Sequence, residues 1–114
     1  MAIAAMVVDM KQAEDLMLQT RVDDRGTTLF VVGELDLRTA PRLRSELQRV
    51  LALGSSGLVV DASAVSFVDS SGLGILVGAR KAATEVGVRF ELRPSEPMRS
   101  LLVRTGLFGW FGLA

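Results

Sequence analysis

The sequence predicts an α/β fold in which a mixed sheet of about four to five strands carries packed helices. Three observations predict it. Short apolar runs alternate with helical stretches along the chain, which implies a mostly parallel sheet with right-handed crossovers. Two strand-like runs at the start are separated only by turn residues, which adds an antiparallel hairpin. Glycines stand where the helical patterns stop, at Gly54, Gly87 and Gly106.

In order, residues 16–22 (LMLQTRV) and 27–32 (TTLFVV) read as strands, with turn chemistry at 23–26 (DDRG) between them. Thr39 is placed to cap a helix with Pro41 in its first turn. Leu43, Leu47, Val50 and Leu51 then recur on one helical face. Residues 57–61 (GLVVD) form a short apolar run suited to a central strand buried on both faces. Residues 65–68 (VSFV) lead into Ser70 and Ser71, where a second helix should run to about Val86. Residues 88–92 (VRFEL) alternate as a half-exposed strand does. Ser95 can cap a third helix with Pro97 in its first turn and Leu101, Leu102 and Val103 inside it. An apolar, aromatic tail follows from Leu107 to Phe111. Aromatic residues near a chain end more often fold back on the core than form a partner patch.

The chain has 114 residues, the size of one domain, and 49% of them are hydrophobic, enough to form a core. The expected division is an N-terminal extension over 1–15 and a single domain over 16–114. The extension is apolar, and an added strand, a dimer contact and a frayed tail are all open to it. It lacks a positive n-region, and no apolar run reaches the roughly 18 residues of a membrane span. A cytoplasmic protein is the expectation.

Composition excludes several chemistries. Thirteen basic and 13 acidic side chains give a formal net charge of zero, so no basic footprint for nucleic acid exists. The absence of cysteine removes disulfides and thiolate nucleophiles, and the absence of histidine removes the commonest general base and metal ligand. Three acids, Asp36, Asp61 and Asp69, fall at or just beyond the ends of expected strands. That edge of an open α/β sheet is where ligands bind, so magnesium-dependent phosphoryl transfer is an enzymatic alternative. The chain has no histidine and no lysine suitably placed for such chemistry, and capping and solvated turns are the plainer roles for the three acids. No metal site is expected.

The run 67–74 (FVDSSGLG) is the most informative in the chain. It sets a serine hydroxyl at a helix start, where backbone N–H groups and the helix dipole favour negative charge. Nothing in the chain would activate Ser70 as a nucleophile, so it reads as a substrate for another protein's kinase. An ordinary pair of helix-capping serines is the bland alternative. Gly72 and Gly74 lie in the first turn, where each costs roughly 1 kcal/mol relative to alanine, and so imply close approach of another backbone. Neither a dinucleotide fingerprint nor a Walker lysine accompanies them.

Residues 33–36 (GELD) with Thr39 and Ala40, 58–61 (LVVD), 67–74 (FVDSSGLG) and Leu102 with Gly106 and Leu107 resemble the STAS domain of anti-sigma factor antagonists, over roughly residues 16–108. The resemblance implies a non-enzymatic binding protein. Its unphosphorylated form binds an anti-sigma factor that is also an ATP-dependent serine kinase, releasing the sigma factor. Phosphorylation at Ser70 ends that binding, and a PP2C-type phosphatase restores it. ATP belongs to the kinase, and this chain needs no cofactor. Gly33, Glu34, Asp36, Asp69, Ser71, Gly72 and Gly74 map to the partner-binding surface. The alternative is a STAS adaptor subunit of a lipid-transport ABC system or of a stress-signalling assembly. The chain departs from the family pattern in two places: a final helix after the Gly106 point has no counterpart, and the N-terminus is longer. A homodimer covering the exposed apolar surface is one consequence those departures allow.

Overall fold

The computed structural model describes residues 6–13 and 15–113, and for 6–13 it gives the backbone alone. Five strands and three helices follow the order β1 (Met6–Ala13), β2 (Leu16–Asp23), β3 (Gly26–Leu35), α1 (Ala40–Leu51), β4 (Gly57–Val68), α2 (Ser70–Glu85), β5 (Arg89–Pro94) and α3 (Glu96–Thr105). The strands lie in one sheet in sequence order. β1, β2 and β3 pair antiparallel, and β3, β4 and β5 pair parallel. The expected mixed sheet is therefore present. β1 covers part of the expected N-terminal extension, while residues 1–5 and 14 lie outside the described residues.

Alternation sets the core. Leu16, Leu18 and Thr20 of β2, Leu29 and Val31 of β3, Leu58 and Val60 of β4 and Leu92 of β5 are all buried. Leu29, Val60 and Leu92 sit in one cross-strand row. Onto this face pack Leu43, Leu47 and Val50 of α1, Leu73 and Leu76 of α2, and Met98 and Leu102 of α3. The opposite face carries Gln19, Phe30, Val59 and Asp61, which are only half buried. The 57–61 run is therefore not covered on both faces, as its apolar content suggested. All three helices sit on one side, so even the central strand alternates.

β4 also differs from expectation in length. It is one strand of 12 residues rather than two short runs. Two bulges keep it continuous: Phe30 pairs with Asp61 but Val32 with Ala64, and Gly33 pairs with Val65 but Glu34 with Phe67. Each inserts one extra residue on β4 and turns the strand's inward direction. The buried positions become Ala62, Val65 and Val68, a spacing of three that no ordinary strand has. Asp61 consequently lies mid-strand, beside Phe30 and Arg93, rather than at the strand's end.

The helix ends follow their sequence signals in most cases. Ser95 Oγ accepts the Met98 N–H at 3.3 Å, and Gly106 closes α3 in the left-handed region at φ 77°. Thr39 stands at the N-cap of α1 but makes no side-chain cap bond. Its hydroxyl instead donates to the Glu34 carbonyl at 2.8 Å, and that ties the loop down. The aromatic tail folds back: Phe111 is buried, 6.3 Å from the Phe90 ring and edge-on to Trp110 at 4.9 Å. Arg80 lies over the Trp110 ring.

Candidate functional site

The ends of β3 and β4 meet at one edge of the sheet. The Asp69 N–H donates to the Leu35 carbonyl at 3.1 Å, so the segment after β3 and the start of α2 lie side by side. Asp69, extended at φ −116° and ψ −174°, is the N-cap of α2. Its Oδ1 accepts the N–H of Ser71 at 2.9 Å and of Gly72 at 3.2 Å. This revises the capping role weighed for the serine pair: the cap is the aspartate, and Ser70 is the first helical residue. Ser70 is exposed, and its hydroxyl has no hydrogen-bond partner among the described residues. Ser71 is half buried.

The cap changes the electrostatics expected of the helix start. Two N–H groups that would cradle an anion are already held by the Asp69 carboxylate. A phosphate on Ser70 would add about −1.5 to −2 charges beside that carboxylate rather than fill an empty nest. It would accordingly project outward, where any docked surface would have to dehydrate it.

The two glycines have different reasons. A Cβ on Gly72 would lie 2.4 Å from Leu35 Cγ and 3.1 Å from the Leu35 carbonyl oxygen, so β3 leaves no room for it. A Cβ on Gly74 would meet nothing within 4 Å. The fold itself requires the first glycine and not the second. Gly74 also opens onto a groove of about 290 Å³ between α1 and α2, lined by Arg44, Leu47 and Leu51 opposite Ile75 and Gly78.

The segment at the end of β3 is held mostly by its own chain. Gly33 has φ 113°, and a Cβ there would fall 2.2 Å from the Asp15 carbonyl oxygen. That same carbonyl accepts the Glu34 N–H at 2.7 Å. The Glu34 side chain is exposed. Asp36 Oδ1 accepts the N–H of Arg38 at 2.9 Å and of Thr39 at 3.1 Å, and the Arg38 guanidinium bridges Asp36 and Asp15. Burial pushes the Asp36 carboxyl upward, but the Thr39 N–H and the Arg38 charge outweigh it and leave it below the usual carboxylate value.

Of the residues singled out in the sequence, Glu34, Ser70 and Gly74 face solvent at this edge. Gly33, Asp36, Asp69 and Gly72 are accounted for by contacts inside the chain. Asp61 is not with them: it accepts from Ser63 N–H and Oγ on the strand interior. The expectation of three acids at one edge is corrected by the first β4 bulge. Among the described residues no group of three acids could hold a metal ion. Two residues at the edge had no role of their own assigned from the sequence, Leu37 and, at the head of the 67–74 run, Phe67; both are large, apolar and exposed. An isolated leucine between Asp36 and Arg38 was the one available hint.

Known proteins share this architecture. A family model described as the STAS domain matches residues 17–114. An anti-sigma-B factor antagonist of Staphylococcus aureus is 35% identical over 71 residues, covering 62% of this chain and 66% of the relative, just under two thirds of its length. One of Listeria monocytogenes is 41% identical over 54 residues, 47% of each chain. Among solved structures, an anti-sigma factor antagonist from Mycobacterium paratuberculosis superposes with a TM-score of 0.80 at 31% identity, covering 90% of this chain and 89% of the other. The anti-sigma factor antagonist SpoIIAA, unphosphorylated, gives 0.68 at 26% identity over 82% of this chain and 84% of its own. The phosphorylated form of SpoIIAA gives 0.64 at 27% identity, covering 82% and 86%.

Proposed function

This chain belongs to the STAS domain family, and from that premise we propose that it is an anti-sigma factor antagonist switched by phosphorylation at Ser70. The observation that carries the reading is the position of Ser70. It is exposed, first in α2, directly after a cap that occupies the neighbouring N–H groups and leaves the hydroxyl free among the described residues. SpoIIAA, which shares the fold, has been solved both with and without phosphate.

In this reading the unphosphorylated chain docks on an anti-sigma factor that is also a serine kinase, and the sigma factor is released. The kinase transfers the γ-phosphoryl group of ATP to Ser70 Oγ. The hydroxyl proton passes to a base on the kinase and ADP leaves. The new dianion stands next to Asp69 and breaks a contact that had tolerated the neutral hydroxyl. A PP2C-type phosphatase returns the hydroxyl. This chain supplies no catalytic group and takes no cofactor, and the cycle runs in the cytoplasm. No helix among the described residues is long and apolar enough to cross a membrane.

The test is phosphate mapping by mass spectrometry after incubation with anti-sigma factor kinases of the source genome and ATP. The expected result is one phosphate at Ser70, none on Ser70→Ala, and kinase binding by wild type that Ser70→Asp loses. Phosphate elsewhere, or equal binding by wild type and Ser70→Asp, would refute the switch.

A further inference from the structure

We infer that Leu37 and Phe67 are the apolar anchors by which the anti-sigma factor grips this chain, the partner supplying an apolar pocket rimmed by basic groups. The inference rests on the function proposed above and names the contact that phosphorylation would break.

The two side chains are 75% and 49% exposed. Single exposed apolar residues are ordinary on any surface, and Leu53, Val86 and Val103 are exposed here as well. Those three are scattered: Leu53 follows α1, Val86 follows α2 and Val103 lies on α3. Leu37 and Phe67 instead lie in the two segments that meet at the start of α2: Phe67 is three residues before Ser70, and Leu37 is two after Leu35, whose carbonyl accepts the Asp69 N–H. Phe67 pairs with Glu34 across β3 and β4, and Leu37 follows Asp36 in the loop tied to that strand end.

The exposure of Phe67 is built into the strand. The second β4 bulge, between the Gly33–Val65 and Glu34–Phe67 pairs, inserts Ser66 and directs Val65 and Val68 inward. Ser66 Oγ holds the bulge by donating to the Gly33 carbonyl at 3.3 Å. A phenylalanine turned outward by a fixed bulge presents rigid apolar area at small entropic cost, as interface anchors do. Leu37 is fixed in a similar way, because the residues on either side of it, Asp36 and Arg38, are hydrogen-bonded to each other.

Charge specifies the rim. Arg38 is engaged by Asp15 and Asp36. Glu34, exposed beside Phe67, makes no ion pair among the described residues, and Asp69 lies next to Ser70. A partner that buries Leu37 and Phe67 and meets these acids must be apolar at its centre and basic around it. A phosphate on Ser70 would sit at the border of that apolar contact, where the dianion would have to be dehydrated.

The experiment places p-benzoylphenylalanine at position 37, 67, 74, 53 or 103 of the full chain in the source cells. Crosslinked products are identified by mass spectrometry. Expected are crosslinks from 37, 67 and 74 to a protein with an anti-sigma factor kinase domain, none from 53 or 103, and loss of all on adding Ser70→Asp. With that kinase purified, Leu37→Ser and Phe67→Ser each weaken binding at least about tenfold (about 1.4 kcal/mol), while Leu53→Ser stays within threefold. Crosslinking to the kinase from 74 but not from 37 or 67 overturns the anchors and leaves the function standing. So does crosslinking from 37 or 67 to a second copy of this chain. No anti-sigma factor kinase from any position overturns the proposed function itself.

Discussion

Gly72 and Gly74 stand two residues apart on one helical turn and answer to different neighbours. The Leu35 side chain and carbonyl fill the space where a Gly72 Cβ would go, and Leu35 is itself 1% exposed, so nothing near it can yield cheaply. Gly72→Ala should destabilise the chain by about 1–3 kcal/mol through overpacking, read from the urea midpoint. Gly74→Ala should do the reverse. Its Cβ meets open space, and alanine recovers up to about 1 kcal/mol of helix propensity. The same substitution should weaken binding to the anti-sigma factor kinase, because a bare backbone patch beside Ser70 is lost. A variant more stable yet weaker in binding would separate the two glycines; unchanged binding would remove Gly74 from the docking surface. The sequence showed that both glycines needed a reason. Only Leu35, 37 residues away along the chain from Gly72, shows which reason belongs to which.

The loop between β3 and α1 is held by Asp36, and the side-chain cap of α1 that the sequence assigned to Thr39 is not made. Asp36 accepts two backbone N–H groups and faces the Arg38 guanidinium, and Thr39 turns back to Glu34 instead of capping α1. With its carboxyl held below the ordinary value near 3.9, Asp36 contributes stability that is fully present above that value. The contribution is lost as the pH falls through the lowered value of the folded state. Asp36→Asn should therefore cost most stability at neutral pH, and the gap to wild type should begin to narrow only below about pH 4. Urea titrations at pH 7, 5 and 3 check this; a gap independent of pH would assign the cost to packing. At the scale of elements the helices were legible because their signals are local: Ser95, Pro97 and Gly106 bound α3 as read. β4 was not. Its two bulges depend on β3 as a template, and they give Ala62, Val65 and Val68 a spacing that matches neither the strand nor the helix period.

In the whole molecule, one face of the sheet carries every helix and the aromatic tail closes the core. Phe111 is 6% exposed and packs against Phe90 at the outer strand β5 and against Trp110. Phe111→Ala should cost about 3–5 kcal/mol and lower the midpoint of urea unfolding accordingly. A loss under about 1 kcal/mol would mean that the tail is a loose cover rather than part of the core. The succession of strands and helices from Leu16 onward, the mixed sheet, the boundaries of α2 and α3 and the serine at the helix start were determined by the sequence alone, because each follows from alternation, turn chemistry or capping within a few residues. Tertiary structure decided two further points: that Asp61 leaves the edge where Asp36 and Asp69 stay, and that Phe67 faces outward. Each of these depends on where β3 lies against β4, and that register comes from contacts between residues some 30 positions apart, beyond the reach of any local pattern.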